Sequence, residues 1–207
     1  SKTAGTVKRV SMELGGHAPF IVFEDADLDE AIIGAMANKY RNSGQVCVSA
    51  NRIYVHETIY DEFSNRLAKK SSQLKVADGR TEGAQIGPLI TPQAFKKVEE
   101  HVEDAVEKGA KILTGGTNDN SGVQFYKPTV LTDINNNMKI YYEETFGPVA
   151  PIIKFKDEND LDENATVPAD LGRYVGSTWE NVNGEPDSDG VYRYRQQQKE
   201  YVKTFVK

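Results

Sequence analysis

The sequence predicts an α/β fold, a layered sheet of parallel strands flanked by helices, followed by a smaller β-rich segment. Up to about residue 156, short runs of β-branched and aromatic residues alternate with amphipathic helical stretches, as in parallel sheets whose strands are joined by helices. After Lys156 the helical periodicity fades and turn-forming residues become frequent. The 207 residues, 38% of them hydrophobic, suffice for one good-sized domain or two small ones. We therefore expect two parts, residues 1–156 and residues 157–207.

Six short runs are expected to form the strands of this sheet. They are rich in β-branched, aromatic and other apolar residues, which is typical of buried strands. The glycine pair Gly15-Gly16 separates the first two runs as a tight loop. The predicted strands are Val7–Met12, Ala18–Phe23, Asn51–His56, Lys111–Thr114, Lys127–Leu131 and Pro148–Phe155.

The first predicted helix has the clearest start signal. Asp27 is a typical N-cap residue, and Glu30 follows three positions later, where its side chain can reach back to the cap. From Leu28 to Tyr40, apolar residues recur at steps of three and four, which places them on one buried face. Gly44 is expected to mark the end of this helix.

Two further helices are expected. The second starts near Thr58, and the third is capped at Thr91-Pro92 and ends before Gly109. Their core-facing residues are predicted to be Ile59, Phe63 and Leu67 in the second helix, and Phe95, Val98, Val102 and Val106 in the third.

Charge and cysteine content exclude several classes of protein. The net charge is −6 and no Lys/Arg run exceeds two residues, which argues against nucleic acid or an anionic membrane as partner. The single cysteine cannot form an internal disulfide, and no apolar stretch of about 18 residues or signal-like segment is seen, so we expect a cytoplasmic protein. His17, His56 and His101 lack companions at ligand spacing, so no metal site is expected.

Two loop motifs carry residues suited to covalent catalysis, Met12–Gly16 and Asn42–Cys47. A thiol of ordinary pKa is only about 3% thiolate at pH 7, so a nucleophilic cysteine needs a base or N–H donors nearby. Glu13, on its glycine-flanked loop, could take a proton from the Cys47 thiol or from water, and the Cys47 N–H could face a developing oxyanion. The structural alternatives are a cysteine buried as a small apolar side chain and a solvated glutamate.

These motifs, together with three others, give the chain a family resemblance. With Glu144–Pro148, Gly87–Ile90 and Gly115-Gly116, the motifs Met12–Gly16 and Asn42–Cys47 make residues 1–156 resemble the catalytic domain of the aldehyde dehydrogenases. Within that family, the residues in and around these motifs are most similar to those of the succinate-semialdehyde dehydrogenases. The resemblance covers about three quarters of the chain.

The resemblance implies roles for catalytic and substrate-binding residues. The cysteine matching Cys47 attacks the aldehyde, a hydride leaves to a nicotinamide, and the glutamate matching Glu13 activates the water that hydrolyses the thioester. Arg41, six residues before Cys47, matches the arginine that clamps the substrate carboxylate, a task suited to a bidentate guanidinium. The alternative for Arg41 is an ordinary cation at a helix end, favoured by the helix dipole.

The resemblance also implies a cofactor, NAD or NADP, in the parent family. Its matching residues are Glu144 for the nicotinamide ribose and Phe146 beside the nicotinamide, and Leu14 and Gly15 are also expected to contact the cofactor. The chain begins near the junction after the family's cofactor domain, at Ser1. We therefore expect that this chain alone does not bind the cofactor, and that it is inactive or only weakly active as an esterase.

The tail departs from the family pattern after Lys156. A turn at Asn183–Gly190 is predicted to join hairpin arms at Tyr174–Val182 and Val191–Arg195, and Glu200–Val206 resembles the family's last strand. Such strands favour an oligomerisation arm, so we expect a homodimer or larger homo-oligomer. The alternative to an enzyme fragment is a non-catalytic folded or assembly module derived from the catalytic domain.

Overall fold

The structure is a computed structural model that describes residues 15–157 and 160–161, together with two short strands in the tail. The strands are β1 (Ala18–Val22), β2 (Ala50–His56), β3 (Lys111–Thr114), β4 (Thr129–Thr132), β5 (Val149–Phe155), β6 (Tyr174–Val175) and β7 (Thr178–Trp179). The helices are α1 (Leu28–Tyr40), α2 (Tyr60–Ser71), α3 (Pro92–Glu107) and α4 (Lys139–Tyr142).

The first five strands form one sheet in the order β1-β2-β5-β4-β3. β1, β2, β5 and β4 pair in parallel, which confirms the predicted α/β fold, whereas β3 pairs with β4 in the antiparallel sense. The prediction of parallel strands is therefore wrong at this edge of the sheet. No helix lies between β3 and β4 to carry the chain back across the sheet, and antiparallel pairing needs only a returning loop.

Helices cover both faces of the sheet. Side chains alternate along β2: Ile53 and Val55 join the core cluster that contains the buried residues of α1 and α2, whereas Tyr54 joins the cluster under α3. This period of two explains why β2 is buried along almost its whole length. The sheet therefore has two cores, one on each face.

The first helix begins where the sequence predicts. The Asp27 carboxylate accepts hydrogen bonds from the backbone N–H groups of Asp29 and Glu30, at 2.9 and 3.2 Å. The helix ends at Tyr40, four residues before Gly44. Its end comes early because Asn42 and Ser43 adopt left-handed backbone angles, with φ of 51° and 59°, which no α-helix accommodates.

The second and third helices match the predicted apolar faces with one exception. Phe63, Leu67, Val98 and Val102 are buried, and the Thr91 side chain caps α3 by accepting from Ala94 N. Val106 is 42% exposed, so its predicted burial is wrong. Each four-residue step advances about 40° around a helix, so two steps carry Val106 about 80° from Val98 and off the buried face.

Other differences concern short elements and the tail. The sequence did not predict α4. β6 and β7 pair antiparallel, so the chain reverses inside the range predicted as one hairpin arm, 174–182. The predicted strand Val7–Met12, the second arm and the last strand-like run lie outside the described residues. Among the described residues, no helix combines the length and the apolar character needed to cross a lipid bilayer.

Candidate active site

Three loops meet at one edge of the sheet, each directly before a strand. The glycine loop (residues 15–17) precedes β1, the Cys47 loop (residues 42–47) precedes β2, and the Glu144 segment (residues 143–147) precedes β5. These three strands are neighbours and parallel, so their amino ends lie at the same edge. Gly16, Cys47 and Glu144, which are separated by 31 and 97 residues in the sequence, are thereby directed to one region.

The glycine loop touches both of the other loops. A Cβ atom on Gly16 would lie 2.5 Å from the Cys47 carbonyl oxygen, and one on Gly15 would lie 2.5 Å from Oε2 of Glu144. The Gly16 N–H donates a hydrogen bond to Oε1 of Glu144 at 3.2 Å. Glycine is therefore required at Gly16, where a side chain would strike backbone, and at Gly15 it allows the close approach of the Glu144 side chain. The structure brings together Gly15, Cys47 and Glu144, three of the residues that the sequence indicates.

The Cys47 loop owes its shape to backbone conformation. Asn42, Ser43 and Gly44 are consecutive residues with positive φ, at 51°, 59° and 74°. A Cβ atom on Gly44 would lie 2.0 Å from the Gly147 carbonyl oxygen, so only glycine fits there. The Cys47 loop and the Glu144 segment are thus in direct contact through their backbones.

Two side chains fasten the Cys47 loop to the segment Gly87–Ile90. The Ser43 hydroxyl accepts from Gly87 N at 2.9 Å and donates to Gly87 O at 3.2 Å. The Gln45 amide accepts from Ile90 N at 2.8 Å and donates to Pro88 O at 3.3 Å. These bonds satisfy main-chain groups of an otherwise irregular stretch, and they bring the two motifs into contact.

Cys47 is exposed to solvent. The alternative of a cysteine buried as a small apolar side chain is therefore wrong. The chain after Cys47 is tied to α1, because the Asn38 side chain donates to Val48 O at 3.3 Å and accepts from Ala50 N. The thiol is thus reachable, yet it sits between two anchored stretches of backbone.

A buried lysine lies beneath these loops. Lys39 of α1 is completely buried, and its Nζ donates to Oδ1 of Asn51 at 3.0 Å. Burial lowers the pKa of Lys39 to about 7, and the nearby negative charge of Glu144 partly opposes that shift. The Lys39 amine and the Glu144 carboxylate are therefore electrostatically linked.

His17, at the end of the glycine loop, is held on both sides. Its Nε2 lies 2.8 Å from the Tyr141 carbonyl oxygen, and the Arg52 guanidinium donates to the His17 carbonyl oxygen at 2.7 and 3.0 Å. Burial lowers the pKa of His17 to about 4; the hydrogen bond to Tyr141 opposes this shift, and the positive charges of Arg52 and Lys39 add to it. The ring is therefore neutral at physiological pH.

The remaining predicted site residues are differently placed. Arg41 is exposed at the start of the turn after α1, and no hydrogen bond or ion pair to another described residue engages its guanidinium. Phe146 is half-buried in the Glu144 segment. Glu13 and Leu14 lie outside the described residues, so the pairing of Glu13 with Cys47 stays a prediction. Within residues 15–157 no cluster of three or more His, Cys, Asp or Glu side chains could hold a metal ion.

Sequence reasoning missed two buried polar residues near the site. Lys39 follows Ala35 by four residues on the buried face of α1, and His101 lies between Val98 and Val102 on that of α3. Helical periodicity indicates that both side chains are buried, whereas the spacing of the three histidines bears only on metal binding. Its partner Thr145, completely buried, carries no signal beyond its place in the Glu144–Pro148 motif.

Comparison with known proteins matches this geometry to one family. Residues 1–166 match the model of the aldehyde dehydrogenase family. The chain is 53% identical over 158 residues to succinate-semialdehyde dehydrogenase (NADP(+)) of Escherichia coli K12, covering 76% of this chain and 33% of that protein. It is 53% identical over 165 residues to 3-sulfolactaldehyde dehydrogenase of Pseudomonas putida, covering 79% and 34%.

A solved structure shows the same architecture. The crystal structure of succinate-semialdehyde dehydrogenase from Burkholderia pseudomallei superposes with a TM-score of 0.77 at 42% identity, covering 99% of this chain and 39% of that one. The fold and the loop motifs define an α/β domain of the aldehyde dehydrogenase type. This chain belongs to the aldehyde dehydrogenase family. It spans about a third of the length of the curated relatives that it matches.

Proposed function

We propose that this chain is the catalytic part of an NAD(P)-dependent aldehyde dehydrogenase that oxidises a semialdehyde to the acid. One observation carries the proposal: the glycine loop contacts the Cys47 backbone on one side and the Glu144 carboxylate on the other. An exposed thiol is thereby brought to the same edge as a carboxylate suited to a cofactor. A free thiol at the reacting centre also suits a reducing, cytoplasmic location.

Cys47 is the nucleophile in this proposal. The Cys47 thiol loses its proton to Glu13, which passes it to solvent. The sulfur then forms a bond to the aldehyde carbon, and the electron pair of the C=O bond moves to the oxygen, which the Cys47 N–H stabilises. Loss of hydride from that carbon leaves a thioester on Cys47. Glu13 then takes a proton from water, the resulting oxygen attacks the thioester carbon, and the acid leaves with return of the thiol.

The residues present fit a nicotinamide nucleotide, which when bound supplies the acceptor of the hydride. Each oxygen of Glu144 has a second lone pair beyond its contact with the glycine loop, so the carboxylate retains capacity for sugar hydroxyls. The absence of a side chain at Gly15 is what lets Oε2 of Glu144 approach the glycine loop, since a Cβ atom there would lie 2.5 Å from it. Phe146 would pack against the ring, and Leu14 would complete this side of the site.

Arg41 is proposed to bind the far end of the substrate. Its guanidinium is exposed and, in the described part of the chain, engaged by no carboxylate, so it is available to an anion. Two relatives are named for succinate semialdehyde and 3-sulfolactaldehyde, aldehydes that carry a carboxylate or a sulfonate. A planar guanidinium binds either anion through two parallel hydrogen bonds.

The nucleophile is tested by alkylation and by ester hydrolysis. We expect iodoacetamide to label Cys47 at least about tenfold faster than it labels a small free thiol at the same pH, because a nearby base can accept the thiol proton as the sulfur attacks. Glu13→Gln should lower this rate, and Cys47→Ala should abolish hydrolysis of an activated ester. Labelling at the rate of the free thiol, with ester hydrolysis unchanged in Cys47→Ala, would support the non-catalytic module instead.

The substrate role of Arg41 is tested with two reagents of matched size. Iodoacetate carries a carboxylate and iodoacetamide is neutral, so their rate ratio at Cys47 reports a nearby positive charge. Arg41→Met should lower the ratio by about fivefold, equivalent to an exposed ion pair of about 1 kcal/mol, whereas Arg41→Lys should lower it less. An unchanged ratio in Arg41→Met would assign the substrate anion to another residue.

We further propose that residues 157–207 support a homodimer. The strand-like tail would complete a neighbouring sheet edge, in which unpaired backbone groups are otherwise exposed. Sedimentation of the chain truncated after Lys156 should then give the monomer mass, and the same mass for both chains would contradict the proposal.

A further inference from the structure

We propose that His101 is a positioning residue for Glu144. Its imidazole holds the two residues on either side of Glu144, in the arrangement in which the Glu144 carboxylate receives the Gly16 N–H. The inference rests on the proposed function insofar as Glu144 faces the cofactor. It adds a role for a residue of α3 that lies outside the three loops of the site.

Both ring nitrogens of His101 contact the Glu144 segment. Nδ1 lies 2.7 Å from Oγ1 of Thr145, and Nε2 lies 3.4 Å from Oε2 of Glu143. The His101 side chain is 2% exposed and Thr145 is completely buried. The residues before and after Glu144 are therefore both tied to one rigid side chain, while Glu144 itself is free to point at the glycine loop.

The partners determine which nitrogen carries the hydrogen. A carboxylate only accepts hydrogen bonds, so the contact with Glu143 requires the hydrogen on Nε2. In the neutral ring Nδ1 is then an acceptor, and the Thr145 hydroxyl donates to it. If the hydrogen were on Nδ1 instead, the Nε2 lone pair would face the Glu143 carboxylate, and the two would repel each other.

The surroundings keep the ring neutral. Burial lowers the pKa of His101, Lys97 on its own helix and Lys139 on α4 add to this effect, and Glu143 opposes it. His17, across from it at the glycine loop, is the other titratable group in electrostatic contact. With both nitrogens engaged and no charge on the ring, His101 acts as a fixed two-ended clamp.

The clamp continues into the Cys47 loop. The Thr145 carbonyl oxygen accepts from Gly147 N at 2.8 Å, and Gly147 in turn contacts Gly44. The segment is therefore fixed at Glu143, Thr145 and Gly147. Without the imidazole, the bond from Gly16 N to Glu144 would depend on a segment that has lost its side-chain contacts with α3 at Glu143 and Thr145.

The test measures the Gly16 amide directly. In the 207-residue chain, hydrogen exchange followed by NMR should show that His101→Leu lowers protection of the Gly16 amide at least about tenfold more than that of the Ile53 amide in the core, since one lost hydrogen bond of about 1.4 kcal/mol corresponds to tenfold. His101→Asn, which can still accept from Thr145, should retain part of the protection. His101→Gln, which reaches the Nε2 position, should retain the part due to Glu143.

A second pair of variants serves if His101→Leu does not fold. Thr145→Val removes the hydroxyl and should lower Gly16 protection selectively, whereas Thr145→Ser keeps the donor and should restore it. In the parent chain, nitrogen chemical shifts of the His101 ring should show the hydrogen on Nε2. Equal loss of protection at Gly16 and Ile53, or a hydrogen on Nδ1, would overturn the proposal.

The outcome is separable from that of the proposed function. The exchange measurement uses no substrate, cofactor or thiol reagent, so it reports the clamp alone. Selective loss of Gly16 protection together with an unreactive Cys47 would uphold the clamp and reject the enzyme. A reactive Cys47, together with no selective effect of His101→Leu on protection of the Gly16 amide, would uphold the enzyme and reject the clamp.

Discussion

The Cys47 loop and the Glu144 segment touch at one edge of the sheet, but different interactions hold them. In the Cys47 loop, three consecutive residues have positive φ, and a glycine packs backbone against backbone at Gly147. The Glu144 segment and α4 just before it are held by two neutral histidines. His17 binds the main-chain oxygen of Tyr141, and His101 binds the side-chain oxygen of Thr145. The Cys47 loop depends on backbone conformation and on uncharged side chains such as Ser43 and Gln45, whereas the Glu144 segment depends on titratable side chains.

This difference predicts two kinds of sensitivity. A region determined by backbone conformation responds to any added Cβ atom and is indifferent to pH. A region held by neutral buried imidazoles responds to protonation, because a charged ring loses its acceptor and is costly to bury. Lys39 belongs to both: its carbonyl oxygen lies against Gly44, and its amine is coupled to Glu144.

The largest effect is expected for Gly44→Ala. The new Cβ would lie 2.0 Å from the Gly147 carbonyl oxygen, at a residue with φ of 74°. Strain and displacement of the Glu144 segment should lower the free energy of unfolding by at least about 3 kcal/mol. Urea denaturation measures it, and Gly34→Ala is the control: there the nearest atom is 3.6 Å away, inside α1, and alanine should stabilise by up to about 1 kcal/mol. Equal effects of the two variants would show that the contact with Gly147 is not tight.

The next effect is a pH dependence that Lys39→Met removes. The pKa of Lys39 is about 7 in the folded chain and 10.5 when unfolded, so between these values the unfolded state binds more protons and this group makes the fold more stable as pH rises. From pH 7 to pH 9.5, the parent should gain about 2 to 3 kcal/mol relative to Lys39→Met. Lys70→Met, which removes an exposed lysine of α2, should keep the parent's rise. A parallel pH profile for the parent and Lys39→Met would contradict the coupling.

Features with a local cause were predictable from the sequence. Asp27 and Thr91 specify helix starts through their own side chains, and the alternation along β2 specifies its two buried faces. The direction of β3 was not predictable in this way, because it depends on the connection and on the strand beside it. The left-handed residues that end α1 early lead into Gly44, which packs against Gly147, a residue 103 positions later.

The site residues divide in the same way, into those predictable from local sequence and those that depend on contacts with distant residues. Each of the three motifs precedes a strand, so their meeting follows once the strands are known to be adjacent and parallel. Helical periodicity predicts that Lys39 is buried, yet the free-energy cost of burying an ammonium group argues against that prediction. In the described part of the chain that cost is offset by Asn51, twelve residues further along, and by Glu144, which is distant in sequence.

The smallest expected effect is a loss of stability in acid that originates at His17. Its pKa is about 4 in the folded chain and 6.5 when unfolded, so its contribution is complete above pH 6.5 and is lost as pH falls toward 4. The loss should be below about 1.4 kcal/mol per pH unit, because the ring is partly solvated. His17→Gln keeps a donor for Tyr141 O but does not titrate, so urea midpoints from pH 7 to pH 4.5 should fall less than in the parent. The fall should not vanish, because the pKa of His101 is lowered in the same direction.

Hydrogen exchange over the same pH range compares the two regions directly. Since Gly44 contributes no titratable group, protection of the Gly87 amide, which reports the Cys47 loop, should change less with pH than protection of the Gly16 amide. Equal acid sensitivity of the two amides would show that the two regions share one kind of restraint.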